Sequence, residues 1–117
     1  MHYAFDDKNK RIIIHSGDER PAEREKVWRE IFSSPRFQEG ADILISLSVN
    51  HIPGDLYYHR ELLKEMVRKR VRKVGALIRD SVAEDEVHMA IQLGKMYDIP
   101  GRMFTDLQEM IDWINED

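Results

Sequence analysis

The chain contains no cysteine, which rules out a disulfide framework and every metal or redox site built on thiolates. Its stability must come from a packed core alone. At 117 residues a domain can bury roughly 65% of the surface its unfolded chain exposes, enough to fold without staples. No apolar run approaches the ~20 residues of a membrane span. Met1 is followed by His2, Tyr3 and a charged turn rather than by an apolar stretch, so no signal peptide is expected and a reducing cytoplasm is the expected location. Neither type of glycine-rich nucleotide loop is present, nor a G-x-S-x-G elbow, nor H-E-x-x-H. With six glycines and four prolines there is no linker or low-complexity tract, and residues 1–117 are expected to form one domain.

What is present is an apolar fraction of 42% against 34% charged residues, the balance of a folded chain with a solvated surface. The net charge of −4 conceals two blocks. Residues 60–79 hold eight Lys/Arg against two Glu, a balance of +6, and residues 80–117 hold two Lys/Arg against ten Asp/Glu, a balance of −8. Such blocks bear on faces and contacts more than on fold.

Tyr3-Ala4-Phe5, a polar turn and Arg11-Ile12-Ile13-Ile14-His15 predict a β-hairpin. Pro21 suits a first helical position, and the helix it opens sets Val27, Trp28 and Ile31 on one side and the pair Glu25–Arg29 on the other. The near-continuous apolar run Ile43-Leu44-Ile45-Ser46-Leu47-Ser48 predicts a central strand covered on both faces. Asp55 is a good N-cap for a helix from Leu56 to Arg70 with Leu62, Leu63, Met66 and Val67 inward. Val74–Ile78 predicts another buried strand, Val82–Tyr97 a helix, and Pro100–Phe104 a short last strand. Thr105, with Gln108 three residues on, then predicts a capped C-terminal helix burying Leu107, Met110, Ile111 and Ile114. The order β-β-α-β-α-β-α-β-α predicts an α/β fold: a mixed five-stranded sheet, mostly parallel, with an antiparallel edge from the hairpin.

The densest polar and aromatic cluster is Asn50, His51, Asp55, Tyr57, Tyr58, His59 and Arg60. It falls where open α/β sheets place ligands, at the carboxyl ends of strands. Asp55 and His59 lie one helical turn apart, but with His51 they match no established metal spacing. No orienting carboxylate or positioned nucleophile accompanies either histidine, so neither a metal, a cofactor nor catalysis is expected. The basic run Lys64, Arg68, Lys69, Arg70, Arg72 and Lys73 has no interleaved aromatics to stack bases. It sits at a helix C-terminus, where cations offset the dipole. It is read as a solvated face or a contact for an acidic partner, not for nucleic acid; pairing with the acidic block of a second copy would make a homodimer. Glu84-Asp85-Glu86 occupies the first helical turn where a phosphate would otherwise bind. His88 is expected on an exposed face, and Met66, Met89, Met96, Met103 and Met110 as core filler.

Phe5-Asp6, the strand Ile43–Leu47, Val74-Gly75-Ala76-Leu77-Ile78, and Met103-Phe104-Thr105-Asp106-Leu107 leading to Met110-Ile111-Asp112-Trp113-Ile114 together resemble the SpoIIAA-like family. That family is related to STAS domains and is compared with CRAL-TRIO (Sec14-type) lipid carriers. The likeness spans almost the whole chain. It implies a STAS-like sheet wrapped by helices and a non-catalytic regulatory module working through protein–protein contact. The anti-sigma-factor antagonists of the STAS group carry a phosphorylatable serine at the helix after the central strand. Here the matching stretch, His51-Ile52-Pro53-Gly54-Asp55-Leu56-Tyr57, has no Ser or Thr, and their phospho-switch does not carry over. The contact surface expected for a protein partner is His51, Asp55, Tyr57, Tyr58, Arg60, Lys64 and Arg68. The lipid-carrier likeness implies an alternative, a carrier of a small apolar ligand between the sheet and the helices 56–70 and 82–97, which a cavity of ~300 Å³ or more would favour.

Overall fold

Asp6 and Asn9 tie the first turn. The Asn9 backbone N–H donates to Asp6 Oδ1 at 3.2 Å and its side-chain amide to Oδ2 at 2.8 Å. Its side chain first, and then its backbone, hold the Asp6 carboxyl below the usual range. The loop so closed joins β1 (His2–Asp6) to β2 (Arg11–Ser16) as an antiparallel pair, with Lys10 at φ 57° turning the chain. The structure is a computed structural model and describes residues 1–17, 19–48, 56–79 and 84–116. Beyond the hairpin, β2 runs parallel to β3 (Asp42–Leu47), β3 to β4 (Val74–Ile78) and β4 to β5 (Gly101–Phe104). The strand order is β1-β2-β3-β4-β5. The expected mixed five-stranded sheet with an antiparallel edge is the one that forms, and β3 is its middle strand.

Each parallel step passes through a helix: α1 (Pro21–Ser33), α2 (Leu56–Arg68), α3 (Glu84–Met96). Such crossovers are right-handed, and when every step goes the same way all the crossover helices land on one face. Ile12, Ile14 and Ile43 on that face pack with Trp28, Ile31 and Phe32 of α1 and with Leu63 and Met66 of α2. Among the described residues the opposite face receives only α4 (Leu107–Asn115), whose Met110 and Ile114 cover Leu44, Leu77 and Phe104. Gly75 permits this approach: a Cβ there would stand 3.0 Å from Met110 Cγ. On the hairpin half of the same face His2, Ala4 and His15 are exposed.

Several boundaries differ from expectation. Helix α2 stops at Arg68, not Arg70, because Arg70 turns left-handed (φ 55°), with its N–H on Val67 O and the Val71 N–H on Met66 O. The cap of α4 is Asp106, whose side chain accepts the Glu109 N–H at 3.0 Å, and not Thr105. Gln108 does not close a capping box; it donates to Asp112 Oδ1 at 2.9 Å. Leu107, in the first turn of α4, is 53% exposed and not buried. Met66 and Met110 are core residues, and Met103 packs beside Ala76 and Ile78. Met89 and Met96 are 48% and 79% exposed, since they lie on the side of α3 away from Val87 and Gly94. His88 is exposed as expected.

Candidate functional site

Beneath α1, α2 and α3 the face-to-helix packing is incomplete. A cavity of about 140 Å³ lies there. Its floor is the sheet, through Ile45, Leu47, Val74 and Ala76, and its walls are Leu62, Leu63 and Met66 of α2 and Ala90, Ile91 and Gly94 of α3. Small residues are part of its lining: Ala76 on the floor, and Ala90 and Gly94 on the α3 wall. Protein interiors contain few voids larger than a water molecule.

One end of the cavity is polar. It lies at the carboxyl end of β2, where Ser16 and Arg24 line the wall. Arg24 is only 4% exposed. Its Nη2 reaches the Gly17 carbonyl at 3.3 Å and Glu19 Oε2 at 3.3 Å, while Ser16 Oγ donates to Glu19 Oε1 at 3.1 Å. The Met1 nitrogen is also 3.3 Å from Glu19 Oε1. Burial pushes the Glu19 carboxyl up, but its own backbone N–H, the Arg24 guanidinium and the Met1 amino group outweigh it and hold the group below its usual value. Arg24 Nε is buried with no hydrogen-bond partner.

Of the surface expected from the sequence, only Arg60, Lys64 and Arg68 have described side chains. His51 and Asp55 fall outside the described residues, as does Asn50; Tyr57 and Tyr58 are in α2, but their side chains are outside the description too, as is that of His59. Arg60, Lys64 and Arg68 share the outer side of α2, all exposed. The Tyr97 hydroxyl lies 3.5 Å from Arg60 Nε and raises the guanidinium pKa further. Lys64 pairs with Glu61 at 3.1 Å and Arg68 with Glu65 at 2.5 Å, each within α2. Arg72 and Lys73, read from sequence as part of a free basic face, instead hold α4. Arg72 forks onto Asp42 at 2.8 and 2.9 Å and also donates to the Ile114 and Glu116 carbonyls. Lys73 Nζ donates to Trp113 O at 2.7 Å and lies 4.8 Å from the Trp113 ring centroid.

The residue that sequence reasoning missed is Arg24. A signal for it existed: Arg24, Trp28 and Ile31 are spaced i, i+4, i+7, the inward stripe of α1. A charged residue in such a stripe is easily passed over, because arginine is almost never fully buried unless paired.

Among the described residues no three His, Asp or Glu side chains come together as a metal site, and no helix is long and apolar enough to cross a membrane. No protein-family model matches the chain, and neither a curated protein nor a solved structure resembles it significantly.

Proposed function

We propose that this protein is a non-catalytic binding module of the SpoIIAA-like kind that takes a compact apolar ligand between its sheet and helices α1–α3. The cavity carries this reading. An apolar cavity of ~150 Å³ holds a benzene-sized guest and stays dry without one, so about 140 Å³ suits one ring or a short branched chain. It is smaller than the ~300 Å³ expected for a drug-sized ligand, which argues against a long-chain lipid as cargo. A protein-contact role for the outer side of α2 has less behind it, because Lys64 and Arg68 each already face a glutamate one turn away.

Titration with benzene, followed by amide and methyl NMR, tests the reading. Shifts should concentrate at Ile45, Leu63, Met66, Ile91 and Gly94. Ala76→Leu, which fills the floor, should abolish them while leaving the protein folded and as stable or more so. A spectrum unchanged up to the solubility limit of benzene removes the ligand reading.

A further inference from the structure

β1 lies at the edge of the sheet, and an edge strand offers unpaired N–H and C=O groups to another chain. Which groups those are follows from the ladder. The Asp42 N–H donates to Lys10 O and the Ser48 N–H to Ser16 O. Backbone groups alternate in direction along a strand, so the even-numbered residues of β2 bond β3, and Arg11, Ile13 and His15 turn to β1. Their partners are Asp6, Ala4 and His2, which leaves the backbone groups of Tyr3 and Phe5 pointing away from the sheet. Arg36, in the segment after α1, donates to Phe5 O at 3.4 Å and stands 5.1 Å from the Phe5 ring centroid. The strand itself carries none of the usual devices that blunt an edge. It has no proline and no lysine, and its register with β2 runs without a bulge from His2 to Asp6. Tyr3 is 36% exposed, and its ring meets that of Phe5 edge-on at 5.8 Å.

We propose that β1 pairs with β1 of a second copy, antiparallel about a two-fold axis at Ala4, and joins two five-stranded sheets into one. The strand is complementary to itself in this register. Tyr3 of each copy stands opposite Phe5 of the other, so every outward backbone group of both strands is used. His2 stands opposite Asp6, a basic against an acidic side chain, in the closer, non-hydrogen-bonded kind of pair. Ala4 meets Ala4 on the axis, with neither bulk nor charge to hold the strands apart. Sliding the copies by two residues sets Tyr3 on Tyr3 or Phe5 on Phe5. Either slip leaves half of the outward groups without a partner in β1 and separates His2 from Asp6. On the helix-bearing face the Tyr3 and Phe5 rings of both copies gather over the join, where aromatic cross-strand pairs add to the backbone bonds. The exposed side chain of Arg36 yields Phe5 O to the Tyr3 N–H of the other copy. A two-fold contact uses up both β1 edges, so assembly closes at a dimer. The contact is a single short strand, and the dimer is accordingly a transient one.

Sedimentation velocity and amide hydrogen exchange, both followed from about 10 μM to about 1 mM protein, test the pairing. The monomer should give way to a dimer as concentration rises, and the Tyr3 and Phe5 amides, open to water in the monomer, should slow severalfold in step with it. Ala4→Lys sets two ammonium groups against each other on the axis and should weaken the dimer about tenfold or more. His2→Glu, which makes both flanking pairs acid against acid, should weaken it as well, whereas His2→Lys should keep it. Ala4 and His2 are exposed in the single copy, so these changes leave the core untouched. A monomer across the whole range overturns the proposal. So does a dimer in which the Tyr3 and Phe5 amides exchange at the same rate as in the monomer, since another face then makes the contact. A dimer indifferent to Ala4→Lys, or one that His2→Glu strengthens, overturns it too. None of these outcomes depends on whether the cavity takes a ligand.

Discussion

Glu19 shows how a single side chain can organise a buried end of the fold. It accepts from Ser16, faces Arg24 and touches the Met1 nitrogen, so its charged form is favoured over its protonated form despite burial. Its folded pKa lies below the ordinary value of 4.5. The unfolded chain therefore binds the proton more readily, and the stability from this group is fully present above about pH 4.5 and is lost as pH falls through the lower folded value. Glu19→Gln should destabilise by roughly 1–2 kcal/mol at pH 7. In thermal melts the gap to wild type should hold steady down to about pH 5 and close below pH 4. A gap that persists unchanged at pH 3 would mean that packing, and not the carboxylate charge, is what the substitution removes. The Arg72–Asp42 fork is a second case of one residue joining distant parts, since Asp42 is buried at the start of β3 and Arg72 reaches α4 from there.

Among the helices, α3 and α4 have opposite relations to the sheet. α4 is closely docked. Arg11, Arg72 and Lys73 all bond its C-terminal end, through Asn115 and the carbonyls of Trp113, Ile114 and Glu116, and cations there also offset the helix dipole. α3 instead leaves space beneath it, and Gly94 is part of the reason. A Cβ at Gly94 would meet only Ile99 O at 3.4 Å and Leu63 Cδ2 at 3.7 Å, ordinary contact distances. Alanine in a helix interior is favoured over glycine by up to ~1 kcal/mol. Gly94→Ala should therefore raise the melting temperature by a few degrees while narrowing the cavity and weakening benzene binding. A variant that gains stability and binds benzene as well as wild type would show that Gly94 is not there for the ligand.

For the whole molecule, the sheet is asymmetric. One face carries three helices; the other carries α4 over β3–β5 and little over the hairpin, where His2, Ala4 and His15 meet solvent. β1 is an edge strand with an exposed pattern, whereas β3 lies between two parallel neighbours. Native-state hydrogen exchange should follow this, with β3 and β4 amides opening only in global unfolding and β1 amides exchanging through a smaller local opening. Equal protection of β1 and β3 would mean that the sheet opens as one unit. The radius of gyration of 13.0 Å is near the value of about 13 Å expected for a single compact domain of this length.

The residue order by itself determined the strands, the helices, the hairpin edge and the central place of β3, because periodicity and turn chemistry are local and the crossover rule leaves few topologies. It also marked Asp6–Asn9 and Pro21 as punctuation. Legibility ended at contacts between residues far apart in the chain. Nothing in Arg72 or Lys73 says that they belong to the end of α4, and nothing in Met96 says that it faces outward while Met66 and Met110 do not. The candidate site was the least legible of all. A cavity is the absence of side-chain volume where Ala76, Ala90 and Gly94 line one space, and small residues on separate elements leave no pattern in one dimension. Arg24 comes to notice only because tertiary packing buries it at the polar end of that space and holds its Nη2 on the Gly17 carbonyl and Glu19.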